Sequence, residues 1–177
     1  MNIYLEVNQK LILKNHNLKN TKVKKSPFQN VKVDNKDFEI VKIIGRGSFG
    51  KIALVKYKKD GNFYVMKNMR KDQIISEGLA DNILLERNIL MDGQSEFILT
   101  ISFFYQTPQR IYFICTFVKG GDLFHKLKED WFLKEELVKF YVAQIAVALQ
   151  LSHDMVIVYR DLKPEMAKLN YVILVQV

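Results

Sequence analysis

A six-residue glycine pattern, Gly45-Arg46-Gly47-Ser48-Phe49-Gly50, lies between two runs of strand-forming residues, 38–44 and 52–57. Glycines at this spacing let a backbone approach phosphate oxygens and adopt torsions that other residues resist. The same pattern opens dinucleotide-binding folds, but there a helix follows the loop at once. Here the chain continues Lys51-Ile52-Ala53-Leu54-Val55, which is rich in β-formers. The loop therefore joins two antiparallel strands, and the dinucleotide fold is excluded on context. Taken alone, the pattern equally fits an ordinary glycine-rich hairpin.

The flanking elements follow from periodicity. A third strand-like run, 63–68, comes after the turn signal Asp60-Gly61-Asn62. Leu79, Ile83, Leu84, Ile89 and Leu90 then recur at helical spacing and predict a helix over 80–91. Runs at 97–105 and 109–118, joined across Gln106-Thr107-Pro108, complete five antiparallel strands with one helix. Beyond Gly120-Gly121 the pattern predicts a short helix near 123–128 and a long one over 134–152. Val138, Tyr141, Val142, Ile145 and Leu149 form one apolar face of the long helix. The class is α+β, and there are no internal repeats.

Composition narrows the function classes. A chain of 177 residues with 49% hydrophobic content supports one domain with a substantial core, or a small domain plus a tail. No stretch approaches the roughly 18 to 20 apolar residues of a membrane span, and a signal-peptide pattern is absent, so a cytoplasmic or nuclear location is expected. The single Cys115 forms no internal disulfide and lies in the apolar run 111–118, where a small buried residue is expected. His16, His125 and His153 stand far apart, which argues against a metal site. The net charge of +8 comes largely from the Lys/Asn-rich stretch 14–36, including Lys22, Lys24 and Lys25. That stretch reads as a solvated, flexible linker; without interleaved aromatics it argues against nucleic-acid binding. Before it, 3–7 and 11–13 read as a short strand pair, marginal alone. No function is assigned to residues 1–37.

Two charged residues add to the glycine loop. Lys67 ends the strand Tyr64-Val65-Met66-Lys67, where a long ammonium side chain reaches phosphates bound under the loop. Glu86, in Leu85-Glu86-Arg87, lies on the helix whose inner face brings it back to Lys67 as an ion pair. After the long helix comes Val158-Tyr159-Arg160-Asp161-Leu162-Lys163-Pro164-Glu165. Here the chain resembles the eukaryotic protein kinase family, and Tyr before Arg-Asp resembles its AGC group of serine/threonine kinases. Further residues match, including Glu86-Arg87-Asn88-Ile89-Leu90 and Val118-Lys119-Gly120-Gly121-Asp122-Leu123-Phe124, so the resemblance covers 38 to about 166.

The resemblance implies a kinase small lobe with hinge at 38–118 and the start of a helical large lobe at 119–177. It implies an ATP site built from Ile44, Gly45, Arg46, Gly47, Ser48, Phe49, Gly50, Lys51 and Ile52, with Lys67 and Glu86. Thr116 and Val118 would lie in the hinge that grips adenine, Cys115 at the gatekeeper position behind it, and Asp122 near the ribose. Asp161 would be the catalytic base toward a Ser or Thr hydroxyl, and Lys163 the cation steadying the γ-phosphate. The implied reaction is magnesium-assisted transfer of the ATP γ-phosphoryl group to a protein substrate.

Departures cluster late in the chain. The family's Asn after Pro-Glu is Met166 here, and a thioether does not replace a hard oxygen ligand for magnesium. Asn170 takes that role only if 166–169 is an insertion, with 171–175 as the following strand. Residues 162–177 contain neither Asp nor Gly, so they hold no Asp-Phe-Gly, and the Mg2+ expected from the family lacks its ligands. Ser152 stands where the family has Leu. Val156 stands where it has Gly, at about 1 to 2 kcal/mol if that turn is left-handed. The expectation is a chain truncated after its catalytic loop, with feeble or no transfer, either a fragment of an active enzyme or a degenerate product. The alternative is a non-catalytic nucleotide-binding or partner-docking module, a partner covering the long helix face around Phe140 and Tyr141. Low solubility of the chain alone is expected.

Overall fold

The computed structural model describes residues 31–47, 49–92, 97–154, 158, 162–165, 167–168 and 172–173. The strand pair at 3–7 and 11–13, most of the basic stretch, and Ser48, Val156, Asp161, Met166 and Asn170 lie outside the described residues. Five strands form one antiparallel sheet: β1 Phe38–Gly47, β2 Gly50–Tyr57, β3 Phe63–Arg70, β4 Ile101–Gln106 and β5 Arg110–Thr116, in the order β1-β2-β3-β5-β4. Between β3 and β4 lie α1 Lys71–Ser76 and α2 Ala80–Asp92; α3 Leu123–Asp130 and α4 Glu135–Asp154 follow β5. A small hairpin, β6 Ala167–Lys168 with β7 Val172–Ile173, comes last. None of the described helices is long and apolar enough to cross a membrane.

Strand alternation divides the core into two layers. Along β5, Phe113 and Cys115 point to an inner cluster with α2, while Tyr112 and Ile114 point to an outer one. In β3 the outer residues are Tyr64 and Met66, so Lys67, like Met69, faces inward. β4 carries a register shift between Ile101 and Phe103. That bulge is why two residues an even step apart serve opposite layers, Ile101 inner and Phe103 outer.

The outer layer is aromatic. Phe38 stacks on Tyr57 at 5.1 Å between centroids, Tyr57 meets Phe103 at 4.7 Å, and Tyr105 stacks on Tyr112 at 4.5 Å. Residues 31–37 close over it. Val33 packs on the cluster, Asp34 and Asp37 form a reciprocal capping box around the 3-10 turn Asn35–Asp37, and the Lys58 N–H donates to the Asp37 carbonyl at 2.9 Å. The Tyr105 hydroxyl donates to Asn35 Oδ1 at 2.7 Å. The packed chain thus begins before Phe38, inside the stretch whose composition reads as linker. Asn35→Ala leaves a buried hydroxyl without its acceptor, so it is expected to lower stability by about 1 to 2 kcal/mol in urea unfolding. In a Tyr105→Phe background the same change is expected to be nearly neutral.

Other elements differ from expectation. β1 and β2 run into the glycine loop, because Gly47 pairs with Gly50. Residues 97–100 precede β4 instead of belonging to it. The helix α1 adds an element that the sequence pattern does not predict: it has six residues and one buried side chain, Ile74. Its first turn is charge-matched, since Arg70 pairs with Asp72 and that hydrogen bond holds the Asp72 carboxyl down at about 2.

On α4 much of the apolar face around Phe140 is uncovered, as the sequence leads one to expect. Val138 and Val142 are exposed, as is Phe140, whereas Ala148 and Ser152 are buried and Ile145 and Leu149 pack beside them. Only 3% of Ser152 is exposed, and its Oγ donates to the Ala148 carbonyl at 2.9 Å, so the hydroxyl is satisfied within the helix.

Candidate functional site

The site grows from one row across the inner face of the sheet. The register pairs Gly45 with Ile52, Ile52 with Lys67, Lys67 with Phe113, and Phe113 with Phe104. Cross-strand partners share a face, so the row runs from a position without a side chain, past Ile52, to the Lys67 ammonium. α2 lies over this side. Its Ile83, Glu86 and Leu90 are buried at helical spacing, and Arg87 sits with Cζ 4.5 Å from the centroid of the Phe104 ring. Glu86, only 6% exposed, meets Lys67 with Nζ 2.7 Å from Oε1. A carboxylate buried to this degree needs its cation, and the β3 register with the α2 spacing supplies it.

Beside that pair lies Cys115, buried and with its thiol pushed up to about 12, by burial first, with Lys67 pulling it down and Glu86 pushing it up. A thiol so placed stays protonated and behaves as a small apolar residue, as its setting in the sequence predicts. Val65, across from Cys115 and two residues before Lys67, shares its face and is half-buried. The period of two from Lys67 places Val65 on that face from the sequence as well.

The glycine loop is a closed hairpin. Phe49 packs into the inner cluster, and its carbonyl accepts the Arg70 N–H at 3.0 Å, which ties the tip to the end of β3. Gly45 and Ile52 face the Lys67 side, while Arg46 and Lys51 pair with each other one step on and so lie on the opposite face, exposed. Ile44 sits at the second bulge of β1, between the Ile43 and Gly45 pairings, and is exposed. Gly47 ends β1.

At the other end of the row, β5 finishes at Thr116, whose Oγ1 lies 3.3 Å from Ser102 Oγ, and Val118 packs back on the inner cluster. Gly121, at φ +75°, takes the left-handed backbone that turns the chain into α3. Asp122 is the cap of that helix, accepting the His125 N–H at 2.9 Å. Lys163 lies exposed just before the turn at 164–165 that precedes β6. The structure therefore gathers Gly45, Ile52, Lys67 and Glu86 on one face.

Comparison with known proteins agrees with this geometry. The protein kinase domain family matches residues 38–167. Among curated relatives, the serine/threonine-protein kinase gad8 of Schizosaccharomyces pombe is 37% identical over 145 residues, 82% of this chain and 26% of that protein. The RAC family serine/threonine-protein kinase homolog of Dictyostelium discoideum is 39% identical over 141 residues, 80% of this chain and 32% of its own. The serine/threonine-protein kinase Sgk2 of Rattus norvegicus is 36% identical over 147 residues, 82% of this chain and 40% of its own. The chain thus spans between a quarter and two fifths of the length of these relatives. They are AGC-group serine/threonine kinases, as the Tyr159-Arg160-Asp161 run implied. A match that begins at the first residue of β1, ends in β6 and takes in every element holding the Lys67–Glu86 pair makes this chain a member of the protein kinase family.

Proposed function

We propose that residues 38–118 form an ATP-binding small lobe and that the chain takes part in γ-phosphoryl transfer to Ser or Thr hydroxyls. The observation that carries this reading is the Lys67–Glu86 pair at 2.7 Å on the same face as Gly45 and Ile52. Bound ATP supplies the transferable phosphoryl group. Lys67, held at a fixed height by Glu86, neutralises phosphate charge, and the bare backbone at Gly45 lets the nucleotide lie close to the sheet. Ile44, Ile52, Val65 and Cys115 provide apolar walls, the backbone of Thr116 and Val118 meets the adenine edge, and Asp122 accepts from the ribose hydroxyls. The remaining proposed members of the loop, Arg46, Gly47, Ser48, Phe49, Gly50 and Lys51, act through the hairpin backbone. Asp161 would orient the acceptor hydroxyl, with Lys163 beside the γ-phosphate.

Magnesium does not fit the residues at hand. Met166 offers a thioether where a hard oxygen is needed, and among the described residues no three His, Cys, Asp or Glu side chains converge. Titration of the 177-residue chain with a fluorescent ATP analogue is expected to give saturable binding that weakens at least about tenfold in Lys67→Ala. Unchanged binding in that variant would overturn the reading.

A second reading, a nucleotide-binding module without transfer, is favoured by Met166 and by the exposed Val138, Phe140 and Val142 on α4, which suit a covering partner. Phosphate transfer to a basic peptide separates the two. Transfer that disappears in Lys67→Ala supports the enzyme, and nucleotide binding without transfer supports the module.

A further inference from the structure

We propose that His125 is a positioning residue for nucleotide recognition, holding the Asp122 carboxylate in the orientation from which it meets the ribose hydroxyls. The inference rests on the reading of Asp122 as the ribose contact. Asp122 stands in extended backbone at φ −125°, ψ 163°, immediately after the left-handed Gly121. As the cap of α3 it needs only one donor, the backbone N–H of His125, and receives it on Oδ1 at 2.9 Å. A second donor reaches the same oxygen: His125 Nδ1 lies 2.7 Å from Oδ1. An ionised carboxylate only accepts, so Nδ1 carries the hydrogen and the ring tautomer is set by the contact.

Rotation about the last Asp torsion is broad, so each donor to the carboxylate narrows its plane. The helix backbone and the ring both donate to Oδ1, and the ring donor narrows the plane further and with it the direction of Oδ2. The Asp122 side chain is 13% exposed whereas that of His125 is 72% exposed. A contact with so exposed a partner contributes little to folding, so its consequence falls on orientation. The ring is itself restrained by Phe124, edge-on at 5.9 Å between centroids. An acceptor oriented before the ligand arrives loses less freedom on binding, which raises affinity only for ligands that carry the matching donors.

The experiment compares ATP with 2′,3′-dideoxy-ATP, which lacks the ribose hydroxyls, on the 177-residue chain by calorimetric titration. His125→Leu removes the ring donor. His125→Asn keeps one, since its side-chain N–H, like Nδ1, is attached to Cγ. The wild type is expected to prefer ATP, and His125→Leu to lose about three- to tenfold of ATP affinity with dideoxy-ATP affinity unchanged. His125→Asn is expected to retain the preference. If His125→Leu keeps the full preference, or weakens both nucleotides equally, the positioning role is overturned while the ribose contact stands. Equal affinity of the wild type for both nucleotides would overturn the ribose contact itself, and this inference with it.

Discussion

Lys67→Met is expected to lower stability by about 3 kcal/mol in denaturant unfolding, because it strands a carboxylate inside the inner core. Glu86 is buried, its neighbours on α2 include Ile83, Ile89 and Leu90, and Cys115 lies close enough to feel its charge. Removing one member of a buried pair leaves the desolvation cost of the other unanswered, whereas replacing both by apolar groups of similar shape is nearly neutral. Adding Glu86→Leu to Lys67→Met should therefore recover most of the lost stability. Nucleotide binding follows a different pattern: it is expected to be lost in the single variant and not recovered in the double. A double variant as unstable as the single one would mean that Lys67 supports the fold by some means other than pairing with Glu86.

Gly50→Ala is expected to be the more damaging of two superficially equal glycine changes, by about 3 kcal/mol against less than about 1 kcal/mol for Gly45→Ala. A methyl group on Gly50 would stand 1.7 Å from the Asn68 carbonyl oxygen and 2.8 Å from its carbon, both backbone atoms that cannot step aside. Relief requires opening β2 from β3 where Gly50 pairs with Met69, and with it the bond from the Arg70 N–H to the Phe49 carbonyl. At Gly45 the nearest atoms are 3.8 Å away on the Ile52 side chain, an ordinary contact. Thermal unfolding of the two variants, beside their ATP affinities, checks this. Gly45→Ala is expected to weaken nucleotide binding in a chain that still folds; Gly50→Ala is expected to unfold the chain first. Equal melting temperatures for the two would overturn the distinction.

The contrast also shows what could be read from the residues in advance. Strands β1, β2 and β3 were legible because β-formers and turn residues alternate cleanly there, and α2 because its apolar spacing is long enough to have a period. Lys67 and Glu86 were legible as partners through the order of elements. Gly50 was not separable from Gly45, since a close approach between two backbones leaves no mark on composition. α1 escaped notice because one buried Ile74 in six residues has no periodicity. On α4 the apolar arc was broad, and breadth says that a face is apolar without saying which part of it is covered. Val138 and Val142 are exposed, as expected of that face, and the contact falls to Ala148 and Ser152. Asp122 stands out through the resemblance, and an Asp just before an apolar helix start is also a capping signal. The side-chain contact from His125 leaves no mark on the sequence, because it depends on the rotamer of the ring.

The order β1-β2-β3-β5-β4 has a consequence for assembly. Every strand pair but one joins chain neighbours: β1 with β2, β2 with β3, and β4 with β5 are hairpins that close over short loops. The exception is the seam in which Tyr64 meets Thr116 and Arg70 meets Arg110, with α1, α2 and β4 looped out between. Closing that loop costs chain entropy before any contact rewards it, so the hairpins form early and the seam late. Until it closes, β3 is a free edge, and Phe113 and Cys115 are not there to shelter Glu86 from water. The shelter of the Lys67–Glu86 pair from water is therefore coupled to the most distant strand pairing in the sheet.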